Sequence, residues 1–498
     1  MDEKSNNEQF LTGFLIVIVI LVTVIYILPT SNYSTASENL NSNRPLKAFI
    51  LSAYFYPTSK SLGNNSLALV MSMNLGKWKG NYAPVDTVND TRIVVMARNE
   101  TTGTVVSTRY ERITPHDNCQ MVTVFATVQL LPDPVHIALI SNEDSTEIKI
   151  KIPSPIKRDV VVCISPLYVT EQWQNFLLAA HTYRRFGAHF HVYFVSAVSS
   201  FFQLLYEYDI EGYITLQPWD RVLFPFVPGD IADPYQEIEF QSLAGAQTDC
   251  LLQYKVESAE FVALFDLNDI LIPKSASTLL EEFQHILGNQ ERVSFLSYTR
   301  RNHEINVFNN TEFSIGEMVD SLADRNTTKF SKSVVVTKNL NFTSMDRPYF
   351  VPEGFVSLDV VDNSIIHLEE IIWIDRNDTK DLKSHSKESN NSSFSYDALS
   401  DIETDLDDML RTERVAQIIP DLPNFFHFYD LTNKCIQESK SNNPKRCPGP
   451  QMCGFYQHPN VNCVHVNARH KPMKTLEPIT YYFATDVFYS SDIGCYAH

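Results

Sequence analysis

The residues with the most explicit chemistry are Asp266-Leu267-Asn268-Asp269, which follow the wholly apolar run Phe261-Val262-Ala263-Leu264-Phe265. A run of that kind reads as a buried strand, and in open α/β sheets ligands bind beyond the carboxyl ends of the strands. Alternate side chains of a strand-end turn can direct two oxygens at one hard cation, Mn²⁺ or Mg²⁺, that also holds a diphosphate. Such an ion stabilises a leaving nucleotide diphosphate as a Lewis acid while a sugar is transferred. The competing reading is a plain turn, because Asp and Asn cap backbone at strand ends.

The elements around this turn must form a crevice for the reading to hold. Asp159-Val160-Val161-Val162-Cys163-Ile164 is a continuous apolar strand. A helix follows with Trp173, Phe176, Leu177, Ala180 and Tyr183 on one stripe, Thr170 as its N-cap and Gly187 at its C-terminal cap. Phe190–Val195, a helix over Ser200–Tyr208 and Tyr213–Leu216 complete a βαβαβ half. Its ligand crevice lies beside the first strand, near Ser165, Pro166 and Leu167. A helix over Glu237–Glu257 then leads into the strand before Asp266, and a helix over Ala276–Leu287 and strands near Arg292–Tyr298, Lys332–Thr337 and Ile365-Ile366-His367 follow. Arg300 and Arg301 could neutralise a diphosphate, or form a solvated pair. No G-x-G-x-x-G or P-loop occurs, which argues against a dinucleotide enzyme or an ATPase.

Before this region, short β-rich runs such as Lys47–Leu51, Arg92–Met96, Met121–Phe125 and His136–Ile140 predict a small antiparallel domain over residues 45–153. Residues 10–28 carry no charge over nineteen positions and are long enough to span a bilayer as an anchor, with a tail at 1–9 and a Ser/Asn-rich stem at 29–44. A cleaved signal peptide is the alternative. Ten N-x-Ser/Thr sequons, from Asn32 to Asn391, all lie C-terminal to the apolar run and favour a lumenal body. Of eight cysteines, five fall in the final stretch 431–498, at spacings of 12, 6, 10 and 32 that fit no zinc ribbon, so disulfides are expected. Residues 377–408, dominated by Asp, Ser, Asn, Glu and Lys, read as an exposed insertion. With 498 residues, a net charge of -19 and no basic run, the chain holds a sizeable core and excludes a nucleic-acid binder.

In order, Cys163-Ile164-Ser165-Pro166-Leu167, Phe186-Gly187-Ala188-His189-Phe190 leading to Tyr193, Asp249-Cys250-Leu251 and Phe265–Pro273 resemble glycosyltransferase family 92 across residues 159–430. The β-rich lead-in is similar to that of nematode-type members. The resemblance implies a GT-A-like fold over residues 157–430, a nucleotide-sugar donor such as UDP-galactose, an inverting transfer to a glycan acceptor, and Mn²⁺ dependence. With the uncharged run at 10–28 and the sequons beyond it, the expectation is a type II, single-pass membrane protein of the Golgi with its catalytic domain in the lumen.

Carried over, Asp266 and Asn268 take the Asp-x-Asp metal positions and His367 that of a late third ligand, although taken alone His367 reads as a structural histidine. Asn268 departs from the family pattern, offering a neutral carbonyl oxygen where an aspartate is usual, so Asp269 is a further metal candidate. Asp249 is expected to face the nucleotide, and Cys250 reads as a small buried thiol. An inverting transfer needs a general base, for which Glu304, Glu312, Glu317 and Asp324 lie in the right stretch and nothing selects among them. The alternatives are a catalytically silent paralogue that binds glycans or acts as a scaffold, which Asn268 favours, and a glycosidase using paired carboxylates.

Overall fold

In the computed structural model the described residues are 46–75, 91–114, 118–142, 144–224, 234–255, 258–310, 313–345, 348, 350–374, 394–442, 447–449, 453, 460–470, 479–492 and 494–495. The proposed anchor at 10–28 lies outside them, and among the described residues no helix is long and apolar enough to cross a membrane.

The four β-runs expected near the N-terminus are strands, within a set of eight: β1 (Leu46–Tyr56), β2 (Ser66–Met73), β3 (Ile93–Arg98), β4 (Gly103–Thr108), β5 (Tyr110–Arg112), β6 (Val122–Gln129), β7 (His136–Ser141) and β8 (Asp144–Glu147). β1, β2, β6 and β5 form one antiparallel sheet, and β4, β3, β7 and β8 a second. Their facing side chains, among them Ala48, Leu67, Leu69, Ile93, Val95 and Leu139, share one apolar core.

The second half supplies β9 (Val160–Leu167), β10 (Ala188–Phe194), β11 (Ser196–Val198), β12 (Ile214–Pro218), β13 (Phe261–Phe265), β14 (Asp269–Ile270), β15 (Val293–Val307), β16 (Ala323–Val336), β17 (Val356–Trp373), β18 (Cys463–His470), β19 (Ile479–Tyr482) and β20 (Ala484–Ser490). An eight-stranded sheet runs β12-β10-β9-β13-β16-β15-β17-β14. Its first four strands are parallel, as the βαβαβ reading predicts, and β16 joins β13 antiparallel. This is a mixed α/β architecture in which long strands extend a short parallel half, β16 running antiparallel to β13 and β15, and β17 parallel to β15.

Several local expectations change. The helix after β9 is Trp173–Arg185, and Thr170 does not cap it: Gln172 takes the cap position without a side-chain bond, while Thr170 bridges to Ala197. Gly187 does close it, at φ +76, with its N–H on the Arg184 carbonyl. The helix expected over 237–257 is shorter, Leu243–Gln253, preceded by two 3-10 turns. The Leu279–Leu287 helix starts behind Thr278, whose hydroxyl accepts from the Glu281 N–H. Half of the expected insertion is ordered: Tyr396–Leu410 is a helix that buries Ala398, Ile402, Leu406 and Met409, a helical spacing hidden in acidic composition, while 377–393 lies outside the described residues.

The β-rich region and the Cys-rich segment do not stand apart. Residues Leu46–His498 form one compact unit. β19, from the C-terminal segment, pairs in parallel with β1, and β18 pairs with β11. Disulfides Cys119–Cys447, Cys435–Cys453 and Cys463–Cys495 bind this segment, and Cys163–Cys250 ties β9 to the Leu243–Gln253 helix, so Cys250 is no free thiol.

Candidate functional site

Strand register assembles the site. β9 and β13 run in parallel with Ile164 opposite Phe265, so Ser165 and Asp266 emerge together at their carboxyl ends. The Ser165 hydroxyl donates to Asp266 Oδ1 at 2.7 Å. β16 runs antiparallel to β13 with Ser333 opposite Leu264, which brings Lys332 beside the turn, and its Nζ lies 2.9 Å from the same Oδ1. β15 presents Arg300, whose Nη2 donates to Asp266 Oδ2 at 3.0 Å and whose Nε donates to Asp269 Oδ1 at 3.0 Å. β14 pairs Asp269 with His367 of β17, setting His367 Nδ1 2.8 Å from Asp269 Oδ1.

The turn itself is fastened from both sides. Asp269 Oδ2 accepts from the Asp266 N–H at 3.0 Å, and Tyr183 of the Trp173–Arg185 helix donates to the Asp269 carbonyl at 2.6 Å. Asn268 Nδ2 donates to the Leu368 carbonyl at 3.0 Å, and the Leu368 N–H donates back to the Asn268 carbonyl at 2.8 Å. A carbonyl partner requires a donor, which fixes the orientation of the Asn268 amide.

Burial separates the roles. The Asp269 side chain has no exposed surface and that of Lys332 none, whereas the Asp266 side chain is 31% exposed. Burial by itself would raise both carboxylates, but for Asp266 the Lys332 and Arg300 charges and the bonds from Lys332 and Ser165 outweigh it, holding the group well below the usual carboxylate range. Asp269 is likewise lowered by Arg300 and by the His367 bond against the opposing effect of burial. Burial pushes His367 down despite Asp269, so its ring is neutral near pH 7. Its Nδ1 lies 2.8 Å from both Asp269 Oδ1 and Arg300 Nη2, and its Nε2 faces Lys329 Nζ at 3.5 Å. Two carboxylates thus sit against two buried cations, and the cluster carries no net charge.

The four metal candidates therefore do not meet as one ligand set. Among the described residues no group of three His, Cys, Asp or Glu side chains is placed to hold a metal ion. Asp269 spends its oxygens on Arg300, His367 and Asp266, and the amide nitrogen of Asn268 is spent on β17. Asp266 also gives its oxygens to Ser165, Lys332 and Arg300, but it keeps a solvent-facing edge, so that it and His367 are the two of the four that could contribute to a cation site.

Of the nucleotide-facing candidates, Ser165 and Arg300 join the cluster, and Pro166 is half-exposed at the strand end, while the Leu167 side chain is buried in the core. Arg300, one of an apparently solvated pair in sequence, is buried; Arg301 is exposed and pairs with Asp324 at 3.5 Å. Asp249 does not face a nucleotide. It is completely buried between the catalytic sheet and β1, accepting from Tyr193 at 2.6 Å, Gln217 at 2.9 Å, Tyr54 at 3.1 Å and Lys151 at 2.9 Å. Lys332, Lys329 and Glu369 were missed. Alternation gave no signal for Lys332, because every residue from Lys332 to Val336 is buried.

The model of glycosyltransferase family 92 matches residues 158–410, the span that contains the turn, Arg300, Lys332 and His367. A Caenorhabditis elegans glycosyltransferase family 92 protein is 43% identical over 486 residues, 94% of this chain and 95% of the relative. A second from the same organism is 34% identical over 464 residues, 90% of this chain and 89% of the relative. A strand-end carboxylate cluster inside the matched span, and likeness along nearly the whole chain, place the protein in glycosyltransferase family 92.

Proposed function

We propose that this protein transfers a sugar, galactose from UDP-galactose, onto a glycan acceptor with inversion at the anomeric carbon, on a GT-A-like domain in the Golgi lumen behind a single N-terminal anchor. The observation that carries the reading is Asp266: at the carboxyl end of β13 it is ionised, held from behind by Lys332 and Arg300, and still reaches solvent. Parallel β9, β10, β12 and β13 support the GT-A-like reading. Four disulfides and the exposed sequon residues Asn64 and Asn326 support an oxidising, glycosylating compartment.

In this reading the donor diphosphate lies over Asp266 and His367, beside Ser165 and Pro166. A divalent cation, Mn²⁺ or Mg²⁺, would be held by Asp266 and His367 together with diphosphate oxygens, and would supply Lewis-acid neutralisation of the leaving group. Asp269 and Arg300 fix the His367 ring at Nδ1, and Arg300 and Lys332 hold the Asp266 carboxylate in place without reorganisation. Because the cluster is electrically balanced, Mn²⁺ alone binds weakly and binds together with UDP.

The silent-paralogue reading draws on Asn268, whose amide nitrogen is a structural donor to β17. Calorimetric titration of the full chain with UDP-galactose, with and without Mn²⁺, followed by nucleotide release in the presence of glycans, separates the two. Metal-assisted binding and release that vanish in Asp266→Ala support the transferase. Glycan binding without nucleotide binding supports the paralogue.

A further inference from the structure

An inverting transfer leaves one role unfilled by the cluster: the group that takes the proton from the attacking hydroxyl. Asp266 is held well below the usual range by two cations, and Asp269 is sealed from solvent. Among the carboxylates considered from sequence, Glu304 is paired with Arg325, Asp324 with Arg301, and Glu317 lies exposed in the short Ile315–Asp320 helix behind Ser314. Glu312 lies outside the described residues.

Glu369 is placed differently. It follows His367 by two residues on β17, at the irregularity where β17 slips one residue against β15 between Leu368 and Glu370. Its carboxylate, 31% exposed, lies 2.6 Å from Lys329 Nζ, and that ammonium lies 3.5 Å from His367 Nε2. One ammonium therefore separates Glu369 from the ring beside which the donor is proposed to lie.

A second feature meets at the same point. The segment Phe425-Phe426-His427-Phe428-Tyr429 is fixed over the end of β9: Glu171, buried just beyond that strand, accepts from the N–H groups of His427 at 2.9 Å, Phe428 at 2.6 Å and Tyr429 at 2.9 Å. Trp173 Nε1 donates to the Pro423 carbonyl at 2.8 Å. The Tyr429 hydroxyl reaches the Glu369 carbonyl at 3.4 Å, and Phe426 packs against Trp373, farther along β17, at 5.1 Å between ring centroids. Phe425 remains 57% exposed, with its ring 4.4 Å from that of His427. Tyr429 ties this loop to the backbone of Glu369, and the exposed Phe425 ring, four residues earlier on the loop, suits the apolar C–H face of a sugar.

We infer that this edge is the acceptor subsite, with Glu369 the catalytic base and the Phe425–Tyr429 loop the platform for the acceptor sugar; the inference rests on the transferase reading above. The acceptor oxygen bonds to the anomeric carbon as its proton passes to the Glu369 carboxylate. The bond from that carbon to the diphosphate breaks, and its electron pair leaves with the nucleotide.

The test uses the full chain with UDP-galactose and a panel of reducing-end-labelled neutral glycans, comparing wild type, Glu369→Gln, Glu369→Asp and Phe425→Ala. Expected is a loss of transfer kcat of roughly 10²–10⁴-fold in Glu369→Gln, partial recovery in Glu369→Asp, and UDP affinity within a factor of about three of wild type in both, no more than the arithmetic of a fraction of a kcal/mol. Phe425→Ala raises the acceptor KM and leaves UDP affinity alone. Wild-type transfer by Glu369→Gln, or loss of UDP binding in step with its activity, overturns the role of Glu369. Absence of UDP binding by wild type instead removes the transferase reading, and the acceptor subsite with it.

Discussion

Two aspartates, Asp266 and Asp249, belong to neighbouring motifs of one sequence and do opposite work. Each is held by a lysine and by further donors. Asp266 stands at a strand end where a third of its side chain meets solvent, among partners drawn from three strands, two of them charged. Asp249 is sealed on the other side of the sheet by two tyrosine hydroxyls, an amide and Lys151, and fastens the Leu243–Gln253 helix to β1. Burial raises the cost of the charge at both, and ionic and hydrogen-bond partners more than offset it, so both are lowered. A depressed pKa therefore does not mark the site here; the open face does.

The comparison is broken most directly by exchanging the outcomes. Asp266→Asn is expected to lower nucleotide-sugar turnover by about 10³-fold, roughly 4 kcal/mol in the transition state, measured as UDP release. Asp249→Asn is expected to cost roughly 2–4 kcal/mol of stability, because Lys151 loses its buried counter-charge and an amide replaces an acceptor. Denaturant unfolding measures it, with UDP affinity of the folded protein unchanged. If Asp249→Asn unfolds like wild type and loses UDP, the division of roles is wrong.

A smaller effect sharpens the boundary of the site. Asn268→Asp restores the acidic family pattern but replaces the donor to Leu368 with a carboxylate facing a carbonyl, so a loss of about 1–3 kcal/mol in stability is expected. A variant that gains Mn²⁺ affinity without losing stability would show that residue 268 is free to act as a ligand.

The smallest effect concerns pH and lies on the Asp249 side. Burial pushes His191 down to about 3, and its Nδ1 lies 2.9 Å from the Tyr254 hydroxyl. The folded pKa is below the unfolded value of about 6.5, so the unfolded chain binds more protons between those values and stability falls as pH drops from about 6.5 toward 3. Thermal melts of His191→Gln should show a shallower acid slope by up to ~1.4 kcal/mol per pH unit. An unchanged slope would put the acid sensitivity elsewhere.

The same contrast explains what could be read from sequence. The cores of β9 and β13 are continuous apolar runs that only a doubly covered strand tolerates, and the turn after β13 could be located from them. β15 and β16 could not be measured in length, because their outer halves alternate charged and polar residues that mimic a surface loop. Arg300 shares parity with the buried Leu296 and Tyr298, yet its partners Asp266 and Asp269 lie more than thirty positions away, and no periodicity reports a pairing across strands. Asp249 failed for the opposite reason: its surroundings come from β1 and Lys151, a region read as separate.

The bridge from Cys119 to Cys447, 328 positions apart, and the parallel pairing of β1 with β19 set the order in which the polypeptide can mature. An emerging chain holds its first strand edge open and one thiol unspent until nearly the last segment has left the ribosome. Closure of the N-terminal sheet is thus a post-translational event of high contact order, and the unfinished chain needs shielding from wrong partners in the meantime.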